Sequence, residues 1–131
     1  MLNKSKLPST TTFWKENGIF FIKHASFRVT MDEAKEIGEL LKEAYLSKDT
    51  NAIVIDNYEA KGAWTQEVNQ IWVDVATEIG GKSIKKVATI TNDVITKMQI
   101  NRLSKLNGSE MISRAFNSEF NEEVKQFLDS K

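Results

Sequence analysis

The chain has 131 residues, 18 basic and 18 acidic side chains, a formal net charge of zero and no cysteine. That length is one domain's worth, and with 40% hydrophobic residues it can bury a core without covalent staples. The missing thiols exclude disulfides, thiolate catalysis and cysteine zinc sites, and the balanced charge argues against a nucleic-acid binder, which carries a basic excess.

Met1 to Thr12 holds lysines with no apolar run behind them, so the middle part of a secretory leader is lacking. No stretch approaches the roughly 20 apolar residues of a membrane span. The expectation is a cytoplasmic protein without integral membrane contact. Residues 1–9 are expected to be a flexible tail and residues 10–131 the folded domain.

Asn17-Gly18 lies between two β-prone runs. Both residues tolerate φ > 0, so this pair predicts a two-residue hairpin joining a strand over Thr11 to Glu16 with one over Ile19 to Ala25. Phe27-Arg28-Val29 would extend the second strand past an irregularity. Thr30-Met31-Asp32-Glu33 has the form of a capping box. Behind it Ala34, Ile37, Gly38, Leu41, Ala44 and Tyr45 recur at helical spacing, which predicts a helix from Met31 to Ser47.

Ala52 to Asp56 reads as a buried strand. After a polar loop, a second helix begins beyond Thr65, with Val68, Ile71, Trp72, Val75, Ala76 and Ile79 on one stripe, and ends at Gly80-Gly81. A strand over Lys86 to Thr91 follows. Asn92 is the expected N-cap of a third helix, with Asp93 favouring its positive end and Ile95, Met98, Leu103 and Leu106 as its apolar side. Ile112 to Phe116 forms a short strand. Ser118 is expected to cap a last helix that buries Phe120, Val124, Phe127 and Leu128.

A hairpin followed by alternating helices and strands predicts an α/β fold, a mostly parallel five-stranded sheet with four helices. No glycine-rich dinucleotide fingerprint and no Walker sequence is present.

This element order, the Ile53-Val54-Ile55-Asp56 strand, the loop into the helix at Thr65, and Arg114-Ala115-Phe116 followed by a helix with Phe127-Leu128 resemble the STAS domain, more narrowly the SpoIIAA-like (STAS/SEC14-type) family of small bacterial proteins. The resemblance runs from about Phe13 to Leu128 and implies a single-domain STAS/SpoIIAA-like fold. It implies an anti-sigma-factor antagonist's role: binding a kinase-like anti-sigma partner, with a phosphorylated serine at the start of the helix after the third strand. Here the matching stretch reads Ala63-Trp64-Thr65-Gln66, without the family's Asp-Ser-Ser-Gly-type sequence, and Thr65 is the hydroxyl in that place. The SEC14-type side of the resemblance implies an alternative, a small-ligand or lipid carrier.

Open α/β sheets bind ligands beyond the C-terminal ends of their strands, where helix N-termini gather. Glu59, Lys61, Trp64, Thr65, Asn92 and Asp93 are therefore the candidate partner-binding residues. Thr65 is a helix cap or a phosphorylation site. Trp64 is a hydrophobic staple or an aromatic anchor. Glu59, Lys61 and Asp93 could be drawn together as an acid–base set, but solvated loop charges are commoner, and no catalytic residue is assigned. His24, the single histidine, is expected to be partly exposed and without clustered ligands, so neither metal nor cofactor is expected. Trp72 is expected in the core, Met98 and Met111 in the core or at its edge, and Trp14, in an early strand, would help line a contact surface if one sheet face is uncovered. An uncovered sheet face or edge strand could support a homodimer.

Overall fold

A computed structural model describes residues 7–60, 65–79, 86–106 and 113–129. In chain order these form β1 (Thr11–Glu16), β2 (Ile19–His24), α1 (Met31–Leu46), β3 (Ala52–Asp56), α2 (Gln66–Ile79), β4 (Lys86–Ile90), α3 (Val94–Leu106), β5 (Ser113–Phe116) and α4 (Glu122–Asp129). The strands make one mixed sheet in the order β1-β2-β3-β4-β5. β1 is antiparallel to β2, and every other neighbouring pair is parallel. The α/β class, the hairpin and the four helices are as the sequence predicts.

The hairpin turns on Asn17 (φ 53) and Gly18 (φ 80). This is the doubly left-handed backbone whose twist matches paired strands. A Cβ at Gly18 would also collide with the Asn51 side chain, and Asn51 N–H donates to Gly18 O at 2.7 Å. The turn is thereby tied to the start of β3.

α1 opens on the expected capping box. Thr30 Oγ1 accepts from Glu33 N–H at 3.1 Å, and Glu33 Oε1 accepts from Thr30 N–H at 2.8 Å. Its Ile37, Leu40, Ala44 and Tyr45 pack on Phe20, Ile22 and Ile53 of the sheet. α2 lies against α1 where Gly38 leaves room: a Cβ there would meet Val75 Cγ2 at 3.0 Å. That close approach explains a glycine inside a helix, where it otherwise costs about 1 kcal/mol.

Side chains alternate across a strand, so Phe21, Val54, Ala88 and Ile90 face the opposite side. There they pack with Phe116 and with Val124 and Phe127 of α4. Trp14 extends this face outward. It is 41% exposed and stacks on Phe21 at 5.0 Å, while Phe120 meets Phe21 edge-on at 5.2 Å.

α3 is fastened to the sheet edge by a side-chain amide. Asn101 Nδ2 donates to Ala115 O at 3.2 Å, and Asn101 Oδ1 accepts from Ala115 N–H at 2.8 Å. The amide therefore meets both outward backbone groups of Ala115 as a sixth strand would.

Several expectations are corrected. β2 ends at His24, and 27–29 do not continue it: Arg28 N–H bonds Ser26 Oγ at 3.0 Å in a local turn toward α1. α4 begins at Glu122, not after Ser118. Asn121 Oδ1 accepts from Val124 N–H at 3.1 Å and is the cap, while Ser118 Oγ accepts from Asn121 Nδ2 at 3.2 Å. Phe120 therefore lies ahead of the helix. His24 is 2% exposed rather than partly open, because Thr11 offers its hydroxyl as a partner at 2.9 Å. Met98 is 65% exposed and Ile95 62%, so neither fills the core. The expected start of the last strand at Ile112, Met111, and the helix ends at Gly80-Gly81 and Asn107-Gly108 lie outside the described residues, as does the Trp72 side chain.

At the other terminus, Leu7 packs against the α1-side core, and Pro8 is buried with its carbonyl accepting from Thr11 N–H at 3.1 Å.

Candidate functional site

The C-terminal ends of β3, β4 and β5 carry a connected set of polar loops. Asp56 Oδ1 accepts from Tyr58 N–H at 3.0 Å, which turns the chain out of β3. Asn57 N–H donates to Ile90 O at 2.8 Å, and Asn92 Nδ2 donates to Tyr58 O at 2.7 Å. These bonds tie the loop after β3 to the loop after β4. In the same way Thr91 N–H donates to Phe116 O at 2.9 Å and Asn117 Nδ2 to Thr91 O at 3.2 Å.

Two helix N-termini leave this end of the sheet. Thr65 is exposed, and its Oγ1 accepts from Val68 N–H at 3.2 Å, capping α2. Asp93, not Asn92, caps α3: its Oδ1 accepts from Ile95 N–H at 3.0 Å, and its Oδ2 accepts from the Thr96 hydroxyl at 2.7 Å. Those bonds, the Thr96 hydroxyl first, hold the Asp93 carboxyl below its usual range. A carboxylate suits the position because it faces the positive end of the helix. Asn92 is freed to bridge the loops, the job it performs instead.

Glu59 is paired with Lys23 of β2. The Lys23 ammonium lowers the Glu59 pKa, and the Glu59 carboxylate raises that of Lys23. Both side chains are more than a third exposed, so solvent screens the pair. Glu59 is thus engaged by the sheet and Asp93 by its own helix, which does not assemble the acid–base set drawn from sequence. Lys61 and Trp64 lie outside the described residues. Among the described residues no group of three or more histidines and carboxylates is gathered as a metal would require, and no helix is long and apolar enough to cross a membrane.

Sequence reasoning missed one feature of this end. Val94, Ile95 and Met98, on the first two turns of α3, are 53%, 62% and 65% exposed. The signal was present in the spacing. Ile95 and Met98 share a helical stripe with Arg102 and Lys105, both exposed cations, which marks that stripe as the solvent side. A cluster of neighbouring exposed apolar side chains is a feature of contact surfaces.

Comparisons with protein-family models, with curated proteins and with solved structures each return no match.

Proposed function

We propose that the protein is a small regulatory protein-interaction module of the STAS/SpoIIAA-like kind, resembling anti-sigma-factor antagonists but without their usual phosphoserine sequence. Its recognition surface is the end of the sheet built from Glu59, Thr65, Asn92 and Asp93, with Lys61 and Trp64 between Glu59 and Thr65 in the sequence. The observation that carries this reading is the apolar trio Val94, Ile95 and Met98, left more than half exposed directly behind Asp93. Apolar side chains rimmed by polar loops supply the buried centre that a protein interface needs. Thr65 supports a regulatory role, because an exposed hydroxyl at a helix N-terminus could accept a phosphate that the helix dipole would stabilise.

The test is affinity purification from the native cell, wild type beside Met98→Asp and Trp64→Ala. One protein should be retained by the wild type and lost by both variants, with melting temperatures little changed. Equal retention by all three would remove the proposal. Intact-mass analysis of the same material reads Thr65 directly, as an added phosphate abolished by Thr65→Ala.

The carrier alternative would draw support from an internal cavity. The cleft between the β1–β2 hairpin and the last turns of α1 holds about 280 Å³. This is below the roughly 300–1,000 Å³ of pockets for drug-sized ligands, and it does not favour a lipid.

A further inference from the structure

The face of α3 that carries the apolar trio continues into cations. At about 100° per residue, Val94, Ile95, Met98, Arg102 and Lys105 fall within roughly a third of the helix circumference. All five are exposed. The helix holds Lys97, Arg102 and Lys105 and no acid, although the chain as a whole is neutral. Neither Arg102 nor Lys105 makes an ion pair among the described residues. Asp93, also exposed, stands at the N-terminal rim of the same face, with its Oδ1 on the Ile95 N–H. From its N-terminal end the stripe therefore runs from a negative charge through three apolar side chains to two positive charges.

Such an order is its own complement when reversed. A two-fold axis perpendicular to α3 sets the helix antiparallel to the same helix of a second copy. Placed at the level of Thr96, the middle of the trio, the axis brings Val94 level with the partner's Met98, and so apolar against apolar. Asp93 lies three residues before that level and Arg102 six residues after it. In the pair the two are offset by three residues, about 4.5 Å along the axis. An arginine side chain spans that distance. On a helix it leans toward its own N-terminus, here toward the two-fold axis and the partner's Asp93. The rotation makes the same match twice.

Taking this face as the contact surface proposed above, we infer that its occupant is a second copy of this chain, joined as a two-fold antiparallel α3–α3 pair. The trio supplies the buried centre, and the Asp93–Arg102 matches at both ends set direction and register. A parallel pair would instead set like charges side by side. An anionic bilayer suits the face less well, because Asp93 stands at the rim of its apolar part. A contact made by one helix face is small beside standard interfaces, so the pair is weak and forms at high concentration. Its closed symmetry stops it at two.

The experiment is sedimentation velocity of the full chain from about 10 µM to 1 mM, in low and high salt. The wild type should pass from monomer to dimer, less readily in high salt, and Met98→Asp should stay monomeric. Asp93→Lys and Arg102→Glu should each associate about tenfold more weakly or worse, because each sets like charges together twice. Mixed one to one they should regain the wild-type midpoint, since both ends of the mixed pair are again opposite in sign. Melting temperatures confirm that the variants fold, and Asp93→Asn, which keeps a capping side chain, should weaken the pair in smaller measure. A wild type monomeric throughout would overturn the inference. So would dimerisation unchanged by Met98→Asp, a mixture no better than its folded components, or a monomer that uses the same residues on phosphatidylglycerol vesicles. A monomeric chain that still retains a different protein through Met98 would overturn the pair and leave the recognition surface standing. A pair formed through Met98, with nothing retained from the native cell, would uphold the pair and remove the other partner.

Discussion

α1 and α3 both connect parallel strands, yet they use their apolar residues in opposite ways. α1 buries Ala34, Ile37, Leu40, Ala44 and Tyr45, and joins the main core cluster. α3 leaves Val94, Ile95 and Met98 to solvent and meets the sheet through the amide of Asn101. The first helix is held by area removed from water, a non-directional force that tolerates little loss of volume. The third combines directional bonds with an uncovered face. Core packing and exposed apolar surface thus fall on different helices, and substitutions should separate them.

The largest effect should come from α1. Ile37 is fully buried, so Ile37→Ala should cost about 2–5 kcal/mol in a denaturant titration; a loss near zero would mean that α1 is not the core element described.

Acid should weaken the same side of the sheet. His24 alternates with Phe20 and Ile22 on the face that α1 covers, and burial lowers its pKa from 6.5 to about 4. A base whose pKa is depressed in the fold binds its proton more readily when unfolded. Its contribution is therefore complete above pH 6.5 and is lost as pH falls toward 4. The loss should be about 3 kcal/mol once both states are protonated. Unfolding midpoints across that window, with the imidazole followed by NMR, check this. A ring titrating near 6.5 in the folded protein would contradict it.

Asn101→Leu should cost about 1–3 kcal/mol, because both outward groups of Ala115 lose their partner. Faster hydrogen exchange at the Ala115 amide would localise the damage. The smallest effect belongs to the uncovered face: Ile95→Ser or Met98→Ser should change stability by no more than about 0.5 kcal/mol. A larger loss would show that these side chains serve the fold and not a contact.

The legible parts of the sequence were those governed by local chemistry. Asn17-Gly18 demands positive φ, Thr30 and Glu33 can bond each other's amides, and alternating apolar runs distinguish strands from helices. What stayed hidden depended on competition between neighbours or on tertiary surroundings. Asn92 and Asp93 can both cap a helix, and the bond from Asn92 to the Tyr58 carbonyl decides between them. Ser118 and Asn121 compete in the same way, and Asn121 takes the Val124 amide. The burial of His24 required knowing that the hairpin register sets it opposite Thr11. Ile95 and Met98 look like core residues unless the sheet is known to end at β5, beside α3. At the candidate site, Thr65 was legible as a cap from its place ahead of an apolar period, whereas the pairing of Glu59 with Lys23 needed the parallel order of β2 and β3.

The amide of Asn101 has an effect on how copies of this molecule could join. Among the described residues β1 has a strand neighbour on one side only, and at the far margin the backbone of Ala115 is already occupied. Among the described residues, strand-to-strand addition therefore meets an obstacle at Ala115 on the β5 margin that the β1 margin lacks. Two copies meeting along β1 would turn their β5 margins outward, where the backbone groups of Ala115 are already taken by Asn101, which disfavours further strand-to-strand growth at that position.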